Sequence, residues 1–130
     1  MKQDPSIKAL IFDLGGVIID LSVDHTLQAF SDLSGLDKEK VKDIYYSSEG
    51  MLAYEMGLIS DDEFRDLVRE TFSISSSSAV IDTSWNAMIR GLPVKKLQLM
   101  EKLKTTHSVF LLSNTNGIHI KYVNEILLPG

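Results

Sequence analysis

The sequence predicts an α/β fold in which an all-helical module is inserted between two strands of a parallel sheet. Two short, uninterrupted apolar runs carry this prediction, Ala9–Phe12 and Val109–Leu112. Because each run is apolar at every position, it is typical of a strand that is buried on both faces. Between the two runs, residues 21–91 repeat apolar side chains at helical spacing.

The first strand is followed by a carboxylate and a glycine pair. Asp13 comes directly after the apolar run, and Leu14, Gly15 and Gly16 follow it. Open α/β sheets bind ligands beyond the carboxyl ends of their strands, and glycines allow the backbone to turn sharply and approach a ligand. Asp13 is therefore a candidate ligand-binding residue, and the alternative is that it caps a turn.

The inserted module divides into five predicted helices. Gly35 is placed to end the first, Asp37 precedes the second, and Gly57 ends the third. Ser60 and Glu63 match a capping box that begins the fourth. The predicted core positions are Val23, Leu27, Phe30 and Leu33 in the first helix, Val41, Ile44 and Tyr45 in the second, Leu52 and Met56 in the third, Phe64, Leu67, Val68 and Phe72 in the fourth, and Ile81, Trp85, Met88 and Ile89 in the fifth.

The chain then returns to an alternation of helix and strand. Residues 94–103 predict an amphipathic helix, residues 109–112 a strand, and residues 118–127 a last helix. If the two strands pair in parallel, Asp13 and Ser113 lie in one crevice at the carboxyl end of the sheet.

The groups at this edge suit phosphoryl chemistry. The Asp13 carboxylate can be a nucleophile that forms an acyl-phosphate, or a hard oxygen ligand for Mg²⁺. The hydroxyl of Ser113 can hold phosphoryl oxygens, and so can the backbone N–H groups of Leu14, Gly15 and Asn114. Phosphoryl transfer fits such a site because it requires mainly positioning and charge neutralisation.

The composition is that of a soluble globular protein. The 130 residues are 44% hydrophobic and 24% charged, the net charge is −5, and there is no cysteine. An acidic balance gives no indication of binding to nucleic acid or to an anionic membrane. No apolar run approaches the roughly 20 residues of a membrane helix, and the N-terminus lacks the apolar core of a signal peptide. We therefore expect a cytoplasmic protein.

Two segments resemble motifs of a known family. Residues 12–17 read F-D-L-G-G-V and residues 111–116 read L-L-S-N-T-N, and they resemble motifs I and II of the haloacid dehalogenase-like (HAD) hydrolase superfamily. More narrowly, the chain is similar to a subgroup of sugar-phosphate-type phosphatases with D-L-G-G-V or D-L-G-N-V. The helical cap of that subgroup often carries a segment like Y-E-M-G-L-I-S at residues 54–60.

The resemblance implies a domain organisation and a reaction. It implies an incomplete Rossmann-like core at residues 1–20 and 92–130, with a helical cap at residues 21–91. The implied activity is Mg²⁺-dependent hydrolysis of a small phosphate ester, such as a sugar phosphate, through an aspartyl-phosphate. The implied partner is thus a small phosphorylated molecule, and neither nucleic acid nor a membrane.

The resemblance also implies roles for single residues. Asp13 would be the nucleophile and a Mg²⁺ ligand, and Gly15 would give its backbone carbonyl to the metal. The transferring phosphoryl group would be bound by Leu14, Gly15, Ser113 and Asn114.

Two departures from the family's pattern bear on these roles. Gly15 stands where many phosphatases of the superfamily have an aspartate that protonates the leaving oxygen and activates water. The lysine of motif III and the acidic pair of motif IV lie beyond the helix that follows motif II, where this sequence stops. We therefore expect the 130 residues to be an N-terminal portion that is inactive alone.

Two alternatives remain open from the sequence. A dehalogenase-type enzyme would keep Asp13 as nucleophile and attack carbon, although such enzymes usually carry other residues at positions 14–16. A non-catalytic fragment that binds a partner is favoured by Gly15 and the missing motifs. Substrate contacts are expected from residues 45–56, in which Tyr45 and Tyr46 are equally candidates for the core.

Overall fold

The computed structural model describes residues 6–13, 19–91, 93–112 and 116–127. The chain divides into two compact units, Met1–Leu21 with Arg90–Asn114 and Ser22–Ile89 with Thr115–Gly130. The elements, in chain order, are β1 (Ala9–Asp13), β2 (Asp20–Leu21), α1 (Val23–Ser34), α2 (Lys38–Ser47), α3 (Glu49–Glu55), α4 (Asp61–Phe72), α5 (Ser78–Asn86), β3 (Ile89–Gly91), α6 (Val94–Leu103), β4 (Ser108–Leu112), α7 (Gly117–Tyr122) and a π-helical turn, Val123–Leu127.

The two predicted strands pair in parallel, which confirms the predicted α/β class. The ladder of β1 and β4 runs from Ala9 opposite Ser108 to Asp13 opposite Leu112. Such a pair needs a long crossover connection, and residues between the strands provide it. Asp13 therefore lies at the carboxyl end of β1, directly beside the last residue of β4.

The strands are less covered than the sequence predicts. Ile11 is 69% exposed, and its register partner Phe110 is 55% exposed. Leu10 and Val109, which alternate to the opposite face, are half-buried. The prediction of burial on both faces is therefore wrong for the described residues, because two strands and the contacting helix α6 leave the face of Ile11 and Phe110 open.

The second unit is a set of helices around an aromatic core. Contacts join α1 to α2 and α5, α4 to α3 and α5, and α5 to α7. Trp85 lies 4.7 Å from Phe64 and 6.2 Å from Tyr54, measured between ring centroids, and Tyr54 stacks on Phe64 at 3.9 Å. The largest side chains with almost no exposure are Trp85, Phe30, Phe64, Phe72, Ile81, Val41, Val68 and Thr26.

Two helix ends follow the predicted signals closely. Gly35 ends α1 in the left-handed conformation at φ 74°, which glycine adopts without steric cost. Ser60 Oγ accepts from the backbone N–H of Glu63 at 3.1 Å, and Glu63 Oε1 accepts from the N–H of Ser60 at 3.1 Å. The predicted capping box is therefore present at the start of α4.

The fifth helix ends earlier than predicted. α5 stops at Asn86, and Ile89 belongs to strand β3, which pairs with β2. The buried hydroxyl of Thr26 lies 2.8 Å from the carbonyl oxygen of Ser84 and 2.9 Å from that of Trp85. In a longer helix these carbonyls would accept from N–H groups four residues further on. The hydroxyl of Thr26, which belongs to α1, donates to these carbonyl oxygens instead.

The third helix presents a different face from the one predicted. α3 buries Met51 and Tyr54, whereas Leu52 and Met56 are 56% and 62% exposed. The buried pair is three residues apart and shares a helix face. Close packing of α3 on α4 selects this face, because a Cβ at Gly50 would lie 2.6 Å from a leucine methyl group of α4.

The observed units differ from the predicted grouping in one segment. Residues 92–130 are predicted to belong with the first strand, but Thr115–Gly130 groups with the helical unit. One contact that holds α7 in the helical unit is the stacking of its His119 ring on Trp85 of α5, with ring centroids 5.0 Å apart. The roles of the two units as core and cap stay predictions. None of the helices in the described ranges is long and apolar enough to cross a membrane.

Phe30 of α1 and Phe72 of α4 are both fully buried, with ring centroids 5.1 Å apart. We expect Phe72→Ala to lower the free energy of unfolding by about 3–5 kcal/mol, because it leaves a cavity in the helical unit. Leu58→Ala is the control, since Leu58 is 69% exposed, and its effect should stay within about 0.5 kcal/mol. Chemical denaturation measures both, and equal effects would contradict the described core.

Candidate functional site

Asp13 is the predicted site residue whose backbone position the structure describes. It is the last residue of β1 and lies opposite Leu112, the last residue of β4. The next residue after each of them in the sequence begins a predicted phosphate-binding segment, so the two segments start at one edge of the strand pair. The other predicted site residues, which lie outside the described ranges, are Leu14, Gly15, Ser113 and Asn114.

Asn116 is the centre of a hydrogen-bond network within the helical unit. It precedes α7 as its N-cap and is 9% exposed. Its Oδ1 accepts from the backbone N–H of His119 at 2.9 Å and from Trp85 Nε1–H at 3.3 Å. Its Nδ2 lies 3.2 Å from His119 Nδ1. Both lone pairs of the amide oxygen are therefore used.

The neighbours of His119 define the position of its ring proton. Nε2 lies 3.3 Å from the carbonyl oxygen of Trp85, and a carbonyl can only accept, so Nε2 carries the proton. Nδ1 is then free to accept from the amide group of Asn116. Burial lowers the pKa of His119 to about 4, and the hydrogen bond to Trp85 opposes this shift. His119 is therefore neutral at pH 7.

Tyr54 connects α3 to the starts of α4 and α7. Its hydroxyl lies 2.7 Å from Asp61 Oδ1 and 3.3 Å from Asn116 Oδ1. The single hydroxyl proton goes to Asp61, which is closer and charged. The backbone N–H of Ile118 approaches the same hydroxyl oxygen at 3.5 Å. Burial, followed by the bond to Asp61, raises the pKa of Tyr54.

A polar cleft of about 190 Å³ opens beside this network, between α4, α5 and α7. Gly117 forms part of its wall, and a Cβ there would lie 2.5 Å from Asp61 Oδ2. Arg65 binds Asp82 through two nitrogens at 2.8 and 2.9 Å, and this partner raises the pKa of Arg65. The Oδ1 atom of Asn86 is buried in the same wall and has no hydrogen-bond partner among the described residues.

The two tyrosines that were candidates for either core or substrate contact differ in how deeply they are buried. Tyr45 is 8% exposed, and its ring centroid lies 6.3 Å from that of Trp85. Tyr46 is 64% exposed. The core interpretation is therefore confirmed for Tyr45 and contradicted for Tyr46, which packs edge-on against Tyr45 at 5.0 Å.

In the part of the chain that the structure describes, no three carboxylates or histidines lie together as a metal site would require. The network around Asn116 lies wholly within those residues. The chemistry predicted for the chain stays assigned to Asp13 and to the residues that follow β1 and β4 in the sequence.

The chain is similar to proteins of known activity. It is 32% identical over 110 residues to a D-ribitol-5-phosphate phosphatase from Bacteroides thetaiotaomicron, a match that covers 85% of this chain and 53% of the phosphatase. A solved structure from the same species, a HAD family enzyme in complex with magnesium and inorganic phosphate, is similar with a TM-score of 0.84 at 36% identity. The chain belongs to the HAD family. The resemblance found in the two motifs is thereby confirmed.

The HAD chain spans only part of these relatives. The match to the enzyme crystallised with magnesium and phosphate covers 94% of this chain and 60% of that enzyme. A predicted HAD-like family hydrolase from Porphyromonas gingivalis has the same fold, with a TM-score of 0.76 at 23% identity over 90% of this chain and 56% of that one. No family model matches the sequence.

The network around Asn116 is not predicted by the sequence. The local signal for Asn116 is its place just before a predicted helix, where asparagine is a favoured N-cap. Its partners carry no local signal, because Trp85 and Tyr54 lie 31 and 62 residues away along the chain. His119 has no distinguishing pattern around it in the sequence either.

Acid should destabilise the helical unit through His119. Because the folded state holds this pKa near 4, below its ordinary value of 6.5, the folded state favours the neutral ring. The free energy of unfolding should therefore fall as the pH drops from about 6.5 to about 4, by up to about 3 kcal/mol. Denaturant titrations at stepped pH values measure this slope. His119→Phe should flatten it, and His25→Gln, a change at an exposed histidine, should not. An unchanged slope in His119→Phe would disprove the assignment.

Proposed function

We propose that this HAD chain forms part of a Mg²⁺-dependent phosphatase that acts on a small sugar or polyol phosphate through an aspartyl-phosphate at Asp13. The observation that carries the proposal is the parallel register of β1 and β4, with Asp13 opposite Leu112. In the sequence, one motif segment continues from Asp13 and the other from Leu112. The similarity to a D-ribitol-5-phosphate phosphatase supports the substrate class. Because the chain covers 53% of that relative, the activity is proposed for the whole protein.

The proposed reaction has two steps at Asp13. A carboxylate oxygen attacks phosphorus, the bond from phosphorus to the alcohol oxygen breaks, and that oxygen takes a proton from water. A second water then attacks the acyl-phosphate, releases inorganic phosphate and regenerates the carboxylate. Two easier displacements replace one difficult hydrolysis, which is the benefit of a covalent intermediate.

The segments that follow the two strands would hold the phosphoryl group. The Ser113 hydroxyl and the backbone N–H groups of Leu14, Gly15 and Asn114 are donors suited to phosphoryl oxygens. Donors fixed in place before the reaction stabilise charge on these oxygens without reorganisation. Positioning of this kind supplies most of the catalysis in phosphoryl transfer.

The available oxygen donors fit magnesium. The Asp13 carboxylate and the Gly15 carbonyl are hard oxygen ligands, and Mg²⁺ is usually held by one or two carboxylates together with substrate phosphate and water. When bound, the ion supplies charge neutralisation at the phosphoryl oxygens.

The remaining expectations complete the proposal. The helical unit would serve as the cap that excludes water from the reacting centre, as closing elements commonly do. The protein would act in the cytoplasm on a free phosphorylated metabolite. Neither nucleic acid nor a membrane would take part, in keeping with the net charge of −5.

Asp13→Asn in the full-length protein should reduce phosphate release from D-ribitol 5-phosphate by at least about 10³-fold, because an amide cannot attack phosphorus. Asp20→Asn is the matched control, since Asp20 is an exposed aspartate that pairs with Lys96 at 3.5 Å. Phosphate release is measured with Mg²⁺ and after chelation, which should also abolish turnover. An Asp13→Asn enzyme within tenfold of wild type would exclude Asp13 as nucleophile.

The same preparation separates the alternatives. Halide release from a 2-haloacid, with no phosphate release from phosphate esters, would support the dehalogenase alternative. Absence of both activities would support a non-catalytic module.

Gly15→Asp should accelerate cleavage of the acyl-phosphate by up to about 10²-fold, because it restores an acid–base group where Gly15 has none. Gly16→Asp adds the same charge one residue further on and should give no such gain. Rapid-quench measurement of phosphorylated protein during turnover reports the effect directly. Slower cleavage in Gly15→Asp with unchanged folding would show that another group already serves.

A further inference from the structure

Asn116 and Gly117 form the only Asn–Gly pair among the 130 residues. An asparagine side chain can close on the backbone nitrogen of the next residue, and glycine permits this best because it has no Cβ to hinder the approach. Asn86, Asn114 and Asn124 are followed by alanine, threonine and glutamate, whose side chains slow the closure. The sequence therefore places the most reactive amide of the chain at position 116.

The packing of α4 near the start of α7 favours glycine at position 117. A Cβ there would lie 2.5 Å from Oδ2 and 2.8 Å from Oδ1 of Asp61, so a side chain would displace this carboxylate. The same carboxylate accepts from the Tyr54 hydroxyl at 2.7 Å. Gly117 is also exposed, so water and hydroxide reach the peptide nitrogen that the closure uses.

The contacts of Asn116 oppose the closure in the folded state. Its Oδ1 accepts from the His119 N–H at 2.9 Å and from Trp85 Nε1–H at 3.3 Å, and its Nδ2 lies 3.2 Å from His119 Nδ1. Its ψ is 166°, and ring closure requires rotation about this bond so that the Gly117 nitrogen meets Cγ. Because that nitrogen belongs to the first turn of α7, the rotation unwinds the turn and breaks the contacts.

The helix that must unwind is short. α7 has six residues, and a helix of this length has little stability of its own in water. Its attachment to the unit depends on the side chains of Ile118 and Val123, which are 3% and 7% exposed, and on the contacts of Asn116 and His119. Segments with few such attachments open locally at a lower free energy than the whole fold.

We propose that Asn116–Gly117 is a deamidation site, and that local opening of α7 sets the rate of its modification. The Gly117 N–H loses its proton to hydroxide, the nitrogen attacks Cγ of Asn116, and the bond from Cγ to Nδ2 breaks. Nδ2 takes a proton from water and leaves as ammonia. Water then opens the cyclic imide at either carbonyl, which gives aspartate or isoaspartate. The sum consumes one water and releases one ammonia.

Either product changes the hydrogen-bond network. A carboxylate at position 116 has no N–H to offer to His119 Nδ1. It also brings a second negative charge to the Tyr54 hydroxyl, which lies 3.3 Å from Asn116 Oδ1 and 2.7 Å from Asp61 Oδ1. Isoaspartate in addition lengthens the backbone by one carbon atom, which displaces the cap from α7. The modification is independent of the proposed phosphatase chemistry, because it uses no residue assigned to that chemistry.

Incubation of the full-length protein at mildly alkaline pH tests the site. Peptide mapping by mass spectrometry measures the reaction, because exchange of the amide for a carboxyl group raises the peptide mass, and chromatography separates aspartate from isoaspartate. Asn116 in the native protein should be modified about 10²-fold more slowly than in the urea-unfolded chain, the factor that two or three hydrogen bonds supply. In the unfolded chain, Asn116 should be modified before Asn86, Asn114 and Asn124.

Two variants and a control test the role of the contacts. Trp85→Phe removes the indole N–H and keeps an aromatic ring, and it should speed modification of the native protein by about tenfold, the factor for one buried hydrogen bond. His119→Phe removes the ring nitrogen that faces Asn116 Nδ2 and should act in the same direction. Ser31→Ala removes a hydrogen bond elsewhere in the unit, from Ser31 Oγ to the Leu36 carbonyl oxygen, and should leave the rate unchanged.

The dependence on urea separates local from global opening. Below the unfolding transition, the rate should rise less steeply with urea than the global unfolding constant does, because opening of α7 exposes little surface. Equal rates in native and unfolded protein would overturn the proposal, and so would modification that begins at another asparagine. A Ser31→Ala protein as fast as the Trp85→Phe protein would overturn local opening. If Trp85→Phe fails to fold, His119→Phe and the urea dependence decide.

Discussion

Burial of Trp85 is the interaction on which the helical unit depends. The indole is 1% exposed, so its apolar surface is removed from water almost entirely, which stabilises the unit by several kcal/mol at about 25 cal/mol per Å². Its N–H donates to Asn116, and its carbonyl accepts from Thr26. One residue of α5 thus satisfies polar partners on α1 and at the start of α7. The aromatic rings around it come from α2, α3, α4 and α7: Tyr45, Tyr54, Phe64 and His119.

The polar groups packed around Trp85 are stable in this core because they have hydrogen-bond partners there. The amide of Asn116 and the ring of His119 complement each other only while the histidine is neutral, and burial favours the neutral ring. Tyr54 donates to Asp61, and the Asp61 carboxylate in turn fits only because position 117 is glycine. An unpartnered donor or acceptor here would cost about 1–3 kcal/mol. The network therefore favours one arrangement of α3, α4, α5 and α7 over others.

Chemistry and packing are divided between the two parts of the HAD chain. The carboxylate proposed as the nucleophile is the last residue of β1, and the proposed phosphate donors follow β1 and β4 in the sequence. The Ile11 and Phe110 side chains of this strand pair are largely exposed. The close-packed interior belongs to the helices.

Local patterns determined the class of fold, both strands, the capping box of α4, the end of α1 at Gly35, and the family. These features depend on neighbours in sequence: an apolar run, a serine three residues before a glutamate, a glycine free to adopt positive φ. Tertiary structure alone decided where α5 ends, which face α3 buries, and that Asn116, Trp85 and His119 meet. The Thr26 hydroxyl donates to carbonyl oxygens of α5 that lie 58 and 59 residues further along the chain. No local pattern encodes such a partner, because the free energy of the contact arises only once distant segments pack together.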